Sequence, residues 1–245
     1  MSISNNNIVG CGSICIHSKV DGVWTPADLP NKEVWFKYAT DIYNTDSPPT
    51  TTFPSPVGGN NQVSKWGDSS GNSVDATDTG SNYPTWDATE NALDFAGTSD
   101  ILELATNEID ITGEFSMFFR IKFDGGTIAN TDVVTSDDGT HFFRFQNNKA
   151  IRMKIASGPL DFTWPSAMLG FTSYHTIGII RDNSNDLRVY IDGVESNTGA
   201  LQATQVYRVN NLEGGSDIFL KSLIITSHAL SSTEQTNLET YLSTQ

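Results

Sequence analysis

The stretch Phe115-Ser-Met-Phe-Phe-Arg-Ile-Lys-Phe123 decides the fold class of this chain. Every odd position in it is apolar, whereas Ser116, Arg120 and Lys122 occupy even positions. Side chains alternate between the two faces of a β-strand, so a repeat of two over this stretch predicts a strand. One face of that strand should lie in a core and the other should meet solvent.

The same repeat of two returns in several short segments on either side of this strand. Segments 151–155 and 187–191 alternate in this way, and the second ends at Asp192-Gly193. That pair suits a two-residue type I′ turn, because both of its positions need a positive φ. Further strands are expected at 93–95, 141–145, 174–180 and 218–226. Many short strands separated by turn residues predict an all-β sandwich or barrel.

One helix is expected, at the C-terminus. Ser231-Ser-Thr-Glu234 is a capping box, in which the Ser231 hydroxyl and the Glu234 carboxylate each accept a bond from an otherwise unpaired backbone N–H. Leu238, Tyr241 and Leu242 follow at helical spacing and form one apolar stripe. A short helix with such a stripe should lie against the sandwich.

The chain divides into an N-terminal arm and one β domain. Residues 1–31 are rich in Asn, Ser and Gly and are assigned as an arm or docking segment. Residues 32–245 have the length of a single large sandwich. Within them, residues 40–62 form a polar, proline-rich loop that cannot be a central strand, because proline lacks the N–H that a sheet needs.

The composition argues against two classes of partner. The chain has 14 Lys and Arg against 29 Asp and Glu, and its net charge is -15. This charge repels phosphate backbones and anionic membrane surfaces, so we expect neither nucleic acid nor a membrane as a partner. No apolar run has the length of a membrane span.

The N-terminal sequence predicts the compartment in which the chain is made. It lacks the basic region and the long apolar region of a secretory signal, so synthesis and folding in a cytoplasm are expected. The two cysteines, Cys11 and Cys15, would lie about 13 Å apart on a strand, too far for a disulfide. On a turn or a helix they would meet, so free thiols and a pair both remain open.

Several short motifs, in this order, resemble the concanavalin A-like and laminin-G-like family. They are Ser64-Lys-Trp66-Gly-Asp68-Ser-Ser-Gly71-Asn72, Ala92-Leu-Asp-Phe95-Ala-Gly97-Thr-Ser-Asp100, the Phe115 strand, Val189-Tyr-Ile-Asp192-Gly193 and the segment from Leu230 to Leu242. The resemblance covers about residues 34–243. It implies a two-sheet antiparallel jelly-roll sandwich with a short C-terminal helix, and it identifies no ligand.

Trp66, the proline-rich loop and the short C-terminal helix resemble the form of this domain in virion proteins of tailed phages. The resemblance implies a non-enzymatic structural protein of the virion, a capsid decoration or a fibre-type appendage, with a lectin-like jelly roll facing outward. The expected partners are other virion proteins and further copies of the chain, with residues 1–31 docking by strand addition. The alternative is a carbohydrate-binding module for host-surface glycans.

Aromatic side chains supply the candidate carbohydrate-binding residues. Trp86, Trp164 and Tyr207 fall in predicted loops or strand ends, as does Tyr43. A ring exposed at such a position can stack on a sugar. The alternative is that these rings pack in the core.

Calcium is the one cofactor for which the sequence offers ligands. Hard cations prefer carboxylate and carbonyl oxygens, and Asp182, Asn183, Asn185 and Asp186 place four such side chains in one predicted turn. A second group comprises Asp132, Asp137 and Asp138. The alternative is that these are ordinary turn residues, since turns favour Asp and Asn.

The sequence contains one candidate pair of catalytic carboxylates, but their expected separation is too large. Glu108-Ile-Asp110-Ile-Thr-Gly-Glu114 resembles the paired carboxylates of glycoside hydrolases. An extended strand would separate Glu108 from Glu114 by about 20 Å, against roughly 5–5.5 Å in a retaining pair. We therefore predict no catalytic residues. A glycoside hydrolase, with an inverting pair from distant loops, is the third hypothesis.

Overall fold

The computed structural model describes residues 23–44, 61–78, 80, 82–96, 99–104, 109–123, 130–146, 150–156, 158–163, 172–198, 205–214 and 218–245. Cys11 and Cys15 lie outside the described residues, as does most of the proline-rich loop.

The described chain is built almost entirely of short strands. In chain order they are β1 (Lys32–Phe36), β2 (Ile42–Asn44), β3 (Val63–Trp66), β4 (Ala76–Thr77), β5 (Thr85–Asp87), β6 (Ala92–Phe95), β7 (Asp100–Leu104), β8 (Ile109–Ile111), β9 (Phe115–Phe123), β10 (Thr131–Thr135), β11 (His141–Gln146), β12 (Ala150–Ile155), β13 (Gly158–Thr163), β14 (His175–Arg181), β15 (Leu187–Ile191), β16 (Val194–Thr198), β17 (Tyr207–Val209), β18 (Asn211–Gly214) and β19 (Ile218–Thr226). A 3-10 turn spans Pro26–Asp28, and helix α1 spans Ser232–Ser243. Asp192 and Gly193 both have positive φ, as the predicted type I′ turn requires.

The strands form two large antiparallel sheets. Sheet A has the order β16-β15-β14-β9-β19-β6-β5, and β1 pairs with the same β19 further along its length. Sheet B has the order β13-β12-β11-β10-β18-β7-β4-β3-β2, and β8 pairs with β17 in a separate ribbon. The predicted two-sheet antiparallel sandwich with a short C-terminal helix is confirmed.

The core lies between the two sheets and is rich in aromatic rings. Phe119 of β9 packs on Phe143 of β11 with ring centroids 4.9 Å apart, and Phe123 meets Phe145 at 5.0 Å. All the odd positions of β9 belong to this core, as the repeat of two predicts. Burial of large apolar side chains on facing sheets is the main stabilising term of such a fold.

The even face of β9 departs from the prediction. Ser116 and Phe118 are buried rather than exposed, whereas Arg120 and Lys122 remain partly accessible. Helix α1 covers the buried half: Leu238 and Leu242 pack with Phe118 in a second apolar cluster. The expectation that this whole face meets solvent is therefore wrong where the helix lies.

Helix α1 begins as its sequence predicts. The backbone N–H of Glu234 donates to the Ser231 hydroxyl (3.3 Å), and the backbone N–H of Ser231 donates to the Glu234 carboxylate (2.9 Å). This reciprocal capping satisfies backbone donors that the first turn leaves free. None of the described helices has the length and apolarity needed to cross a bilayer.

The motif around Trp66 stabilises the fold. Trp66 is buried and stacks on Phe36 with ring centroids 5.2 Å apart. One carboxylate oxygen of Asp68 accepts bonds from the backbone N–H groups of Trp35 (2.9 Å) and Ser70 (2.8 Å), and the other accepts from the Ser70 hydroxyl (2.6 Å). The acidic residue of the motif therefore ties a loop to β1.

A buried arginine joins the β8–β17 ribbon to the sandwich. The guanidinium of Arg181 donates to the backbone carbonyls of Ile111 (3.2 Å), Gln205 (3.0 Å) and Gly113. Burial lowers its pKa to about 10, so it remains charged at neutral pH. Three carbonyl acceptors compensate for the loss of water around the charge.

Two boundaries differ from those predicted. Strand β2 lies within the segment 40–62 that was predicted as a loop, at the edge of sheet B. Residues 23–31, assigned to the arm, lie against the chain's own sandwich: Leu29 is 2% exposed and belongs to the cluster formed with helix α1. Residues 1–22 lie outside the described residues.

Candidate functional site

Two of the four predicted sugar-stacking rings are buried in the structure, and a third, Tyr43, is half-buried on β2. Trp86 is 2% exposed and Tyr207 is 0% exposed, and both belong to the main core. Tyr207 stacks on Phe115 with ring centroids 5.1 Å apart, so that ring contacts protein rather than solvent. The predicted exposure of these two side chains is wrong. Trp164 lies outside the described residues.

The predicted calcium ligands form a self-contained turn between β14 and β15. One carboxylate oxygen of Asp182 accepts bonds from the backbone N–H groups of Ser184 (2.9 Å) and Asp186 (3.1 Å), and the other lies 3.2 Å from Arg188. Asn185 has a positive φ of 64°, and the side-chain oxygen of Asn183 accepts from the Ser184 hydroxyl. Hydrogen bonds within the turn and one ion pair thus occupy Asp182. Among the described residues, no three His, Cys, Asp or Glu side chains are grouped to hold a metal ion.

A groove of about 390 Å³ lies on the outer face of sheet B, away from the core. Its lining residues come from β10, β11, β18 and the turn between β10 and β11: Asp132, Thr135, Ser136, Asp137, Gly139, His141, Phe142, Arg144, Asn211 and Glu213. This volume is within the range of small-molecule sites. The lining is mostly polar, with Phe142 as its apolar side chain.

A rigid ion pair forms one side of the groove. The guanidinium of Arg144 donates to both carboxylate oxygens of Asp132, at 2.6 and 2.7 Å, and the two residues are cross-strand partners. The pair raises the pKa of Arg144 above its usual value. The Arg144 guanidinium also lies 4.5 Å from the centroid of the half-buried Phe142 ring. Pairing and ring contact together hold the guanidinium in one position.

A row of polar side chains forms the other part of the groove. The Thr135 hydroxyl donates to the Glu213 carboxylate at 2.5 Å, and the Asn211 side-chain NH₂ lies 3.3 Å from Thr135 and 3.2 Å from Asp137. Burial raises the pKa of Glu213. The Asn211 side-chain oxygen is buried, and no described residue donates a hydrogen bond to it.

The acidic residues around the groove act separately rather than as a metal site. Asp138 accepts bonds from the Ser136 hydroxyl (2.6 Å) and the backbone N–H of Thr140 (2.8 Å), which closes the turn and holds the pKa of Asp138 far below its usual range. Asp137 pairs with Asn211, and Asp132 pairs with Arg144. The three carboxylates predicted as a second calcium group therefore have three different partners.

Among the described histidines, His175 has contacts that resemble a catalytic arrangement. The Ser173 hydroxyl lies 3.2 Å from Nε2 of His175, whose Nδ1 lies 2.6 Å from an Asp192 carboxylate oxygen. The other oxygen of Asp192 accepts from the backbone N–H of Thr176 at 2.8 Å. Asp192 begins the β15–β16 turn and is exposed, so these contacts fasten the hairpin to β14 in contact with water. His141, by contrast, is buried, and burial lowers its pKa.

The groove suits a ligand that has both apolar and hydroxylated surface. Phe142 offers an apolar ring, Arg144 offers a fixed donor, and Glu213 offers a carboxylate acceptor. Sugars present C–H faces and hydroxyl groups side by side, which these groups complement. The sequence hypotheses missed Phe142, Arg144, Asn211 and Glu213. The signal available was the alternation of segment 141–146, which points Phe142 and Arg144 away from the core.

Comparison with known proteins identifies no family. No family model matches the chain, and no curated protein matches it significantly. Solved structures do match. The ligand-binding domain of botulinum neurotoxin serotype D, in complex with N-acetylneuraminic acid, aligns over 88% of this chain at 13% identity, with a TM-score of 0.59. The binding domain of serotype D/C VPI 5993 aligns over 86% at 11% identity, with a TM-score of 0.61.

A third matching structure is described as showing that cell entry of botulinum neurotoxin type C depends on interaction with two ganglioside molecules. It is 12% identical, and the alignment covers 86% of this chain with a TM-score of 0.58. The chain spans about half the length of these structures, 51 to 52% of each. At such identities the likeness shows the β-sandwich fold, and the ligands named belong to those toxin domains.

Proposed function

We propose that the chain is a non-enzymatic glycan-binding module whose binding site is the groove on the outer face of sheet B. One observation carries the proposal: in the groove lining, the half-buried Phe142 ring lies against an Arg144 guanidinium that Asp132 holds in one position through two hydrogen bonds. An apolar ring and a fixed charged donor side by side are the groups that complement the C–H face and the hydroxyl groups of a sugar.

The structural neighbours give independent support of a general kind. Sandwiches similar to this one occur in domains solved with N-acetylneuraminic acid or described as interacting with gangliosides. These neighbours support a carbohydrate role more than a structural one. The proposed groove is nevertheless argued from this chain's own residues, because fold likeness alone assigns no site.

The test compares two arginines that have the same local geometry. Arg144 lines the groove and pairs with Asp132, whereas Arg152 makes the same two-bond pair with Asp161, at 2.6 and 2.6 Å, outside the groove lining. The purified chain is first screened on a glycan array, with and without a chelator. The affinity of Arg144→Gln and Arg152→Gln for the best glycan is then measured by calorimetry.

We expect Arg144→Gln to weaken binding at least about tenfold, as loss of a charged hydrogen bond of about 1.5–3 kcal/mol would. Arg152→Gln should bind as the parent does. A blank array in both conditions, or equal losses in the two variants, would exclude the groove as a glycan site. Loss of binding only when chelator is present would instead indicate that binding needs a metal ion, held by residues outside those described.

The absence of catalysis is part of the proposal and has its own test. Glu108 lies outside the described residues, so the predicted separation from Glu114 stays a prediction. Incubation with β-glucans and with the glycans bound on the array should release no reducing ends. Release that disappears in a Glu108→Ala variant would show a glycoside hydrolase.

We propose a virion role as the second function, supported by the sequence resemblance described above. The module would then project from a tailed-phage virion, attached to other virion proteins or to its own copies. Because residues 23–31 pack on the chain's own sandwich, the proposed anchor narrows to residues 1–22. Deletion of residues 1–22 should abolish incorporation into virions while the β domain still folds. Incorporation of the shortened chain at the parent level would refute the anchor.

A further inference from the structure

A β-bulge on the outer face of sheet A directs a lysine outward. Leu220 of β19 pairs with Ile121 of β9, but the next pair is Ser222 with Arg120, so Lys221 is the extra residue. Leu220 and Leu223 both lie in the core, and Lys221 is placed on the same side as Lys122. Bulges commonly re-aim a side chain next to a functional site.

Three cations meet around one tyrosine ring at this bulge. The Nζ of Lys221 lies 3.9 Å from the centroid of the Tyr174 ring, the Nζ of Lys122 lies at 5.4 Å, and the guanidinium carbon of Arg120 at 5.8 Å. Lys221 also lies 5.5 Å from the ring of Tyr38. Like charges brought this close repel, and the rings offset only part of that repulsion.

Glu90, Asp87 and Asp192 lie near this cationic cluster of Arg120, Lys122 and Lys221, but among the described residues their ion pairs reach only Lys122 and Arg120. Glu90 pairs with Lys122 at 2.5 Å, and Asp192, which also contacts His175, lies 3.9 Å from Arg120. Within the described part of the chain, Lys221 makes no ion pair, and Nε of Arg120 is buried without an acceptor. Burial, with Arg120 and Lys122 nearby, lowers the pKa of Lys221.

The cluster is unusual for this chain, which has only 14 Lys and Arg against 29 acidic residues. Here Lys221 has no ion-pair partner among the described residues, in a protein with an excess of carboxylates. An anion held between Lys221 and the exposed part of the Arg120 side chain would relieve the repulsion. A planar or tetrahedral oxyanion suits such donors because it accepts several charged hydrogen bonds at once.

We propose that the cationic cluster binds an oxyanion, the carboxylate or sulfate group of an acidic sugar or the free ion itself. The site is separate from the groove, because it lies on the outer face of the opposite sheet. Lys221 is its principal binding residue, Arg120 contributes a second donor, and Tyr174 holds the two cations in place.

The test uses sodium sulfate, N-acetylneuraminic acid and the neutral sugar N-acetylglucosamine as probes, with sodium chloride as an ionic-strength control. Lys221→Gln is compared with Lys65→Gln. The matched control Lys65 also lies over a tyrosine ring, 5.5 Å from the centroid of Tyr43, but it has its own carboxylate partner, Asp75, at 2.5 Å. Binding is followed through amide chemical shifts of residues 220–222 and through the melting temperature.

We expect saturable shifts with sulfate or with N-acetylneuraminic acid, and none with N-acetylglucosamine or chloride. Lys221→Gln should lose the response at least about tenfold in affinity, and Lys65→Gln should keep it. Response to sulfate alone would identify the free ion, response to N-acetylneuraminic acid alone would identify an acidic sugar, and response to both would show a site that accepts either oxyanion. An equal response in Lys221→Gln and the parent, or no saturation with either anion, would overturn the proposal.

A readout without ligand separates binding from a purely structural role. Removal of a repelled charge should leave the melting temperature of Lys221→Gln equal to or above that of the parent. A marked decrease would show that Lys221 stabilises the fold instead, and would also overturn the proposal. Neither outcome affects the groove, whose glycan binding is scored with Arg144→Gln.

Discussion

The outer faces of sheet A and sheet B are built from the same alternating strands but differ in what lies on them. On sheet A, helix α1 covers Phe118 and Ile224 with Leu238, so that half of the outer face becomes a second core. On sheet B, Phe142 and Arg144 line an open groove. An outward-facing side chain thus contributes to stability where another element covers it, and is available for binding where none does.

The largest difference in unfolding free energy between the two faces should appear when one phenylalanine on each face is replaced by alanine. Phe118 is fully buried, and Phe118→Ala should cost about 3–5 kcal/mol of unfolding free energy, as large cavities in cores do. Phe142 is half-buried, and Phe142→Ala should cost about 1 kcal/mol, mainly through the lost contact with Arg144. Urea unfolding of both variants measures the two values. Similar costs would show that the groove face is structural.

The helix provides the next test of the covered face. Leu238 is 0% exposed, and Leu238→Ala should destabilise the chain by about 2–5 kcal/mol. Thr236, two residues earlier on the same helix, is exposed, so Thr236→Ala should change stability by no more than about 0.5 kcal/mol. Equal melting temperatures for the two variants would mean that the helix contributes little to the second core.

Adding a methyl group at one glycine of each sheet tests how tightly the two sheets are packed at those positions. A Cβ added to Gly178 on β14 would lie 2.3 Å from a carbon of the Phe118 ring, which the helix holds in place, so Gly178→Ala should cost about 1–3 kcal/mol. A Cβ added to Gly158 on β13 meets nothing within 4 Å. Gly158→Ala should therefore be neutral or slightly stabilising. Thermal unfolding decides, and a neutral Gly178→Ala would show that Phe118 can move aside.

On the helix-covered face of sheet A, the features that depend on neighbouring residues in the sequence could be predicted. The capping box of Ser231 and Glu234, the period of β9 and the Asp192-Gly193 turn each depend on residues close together in sequence, and the structure confirms them. The sequence did not reveal which outward residues the helix covers, because that depends on how two distant segments pack. Phe118 on an otherwise polar face was the available hint.

The candidate site was less predictable for the same physical reason. The side chains of Asn211 and Thr135 meet across 76 positions of sequence, and no spacing rule brings them together. Trp86 and Tyr207 were taken as exposed because β5 and β17 have three residues each, too few to show a period. Asp182 fits the alternative already considered for it, a residue that closes a turn.

The smallest change in stability should come from Glu213, the half-buried acid of the groove, and its pH dependence shows its direction. Burial raises the pKa of Glu213 in the folded chain above its unfolded value, so the folded state holds the proton more tightly. Stability from this group is therefore complete at low pH and falls as pH rises from the unfolded pKa through the folded one. Glu213→Gln has no titrating group at this position and should not lose stability in this way as pH rises. Its amide oxygen can still accept the hydrogen bond from the Thr135 hydroxyl.

We expect the stability of Glu213→Gln relative to the parent to increase by about 0.5 kcal/mol between pH 4 and pH 7, the scale of a partly exposed position. Chemical unfolding at both pH values measures the difference, and ¹³C titration of the Glu213 carboxyl measures its pKa directly. A pKa at or below the ordinary glutamate value would show that water reaches the carboxylate freely. The groove would then be a solvated surface like the rest of the outer face, and the contrast with the helix-covered sheet would rest on the apolar residues alone.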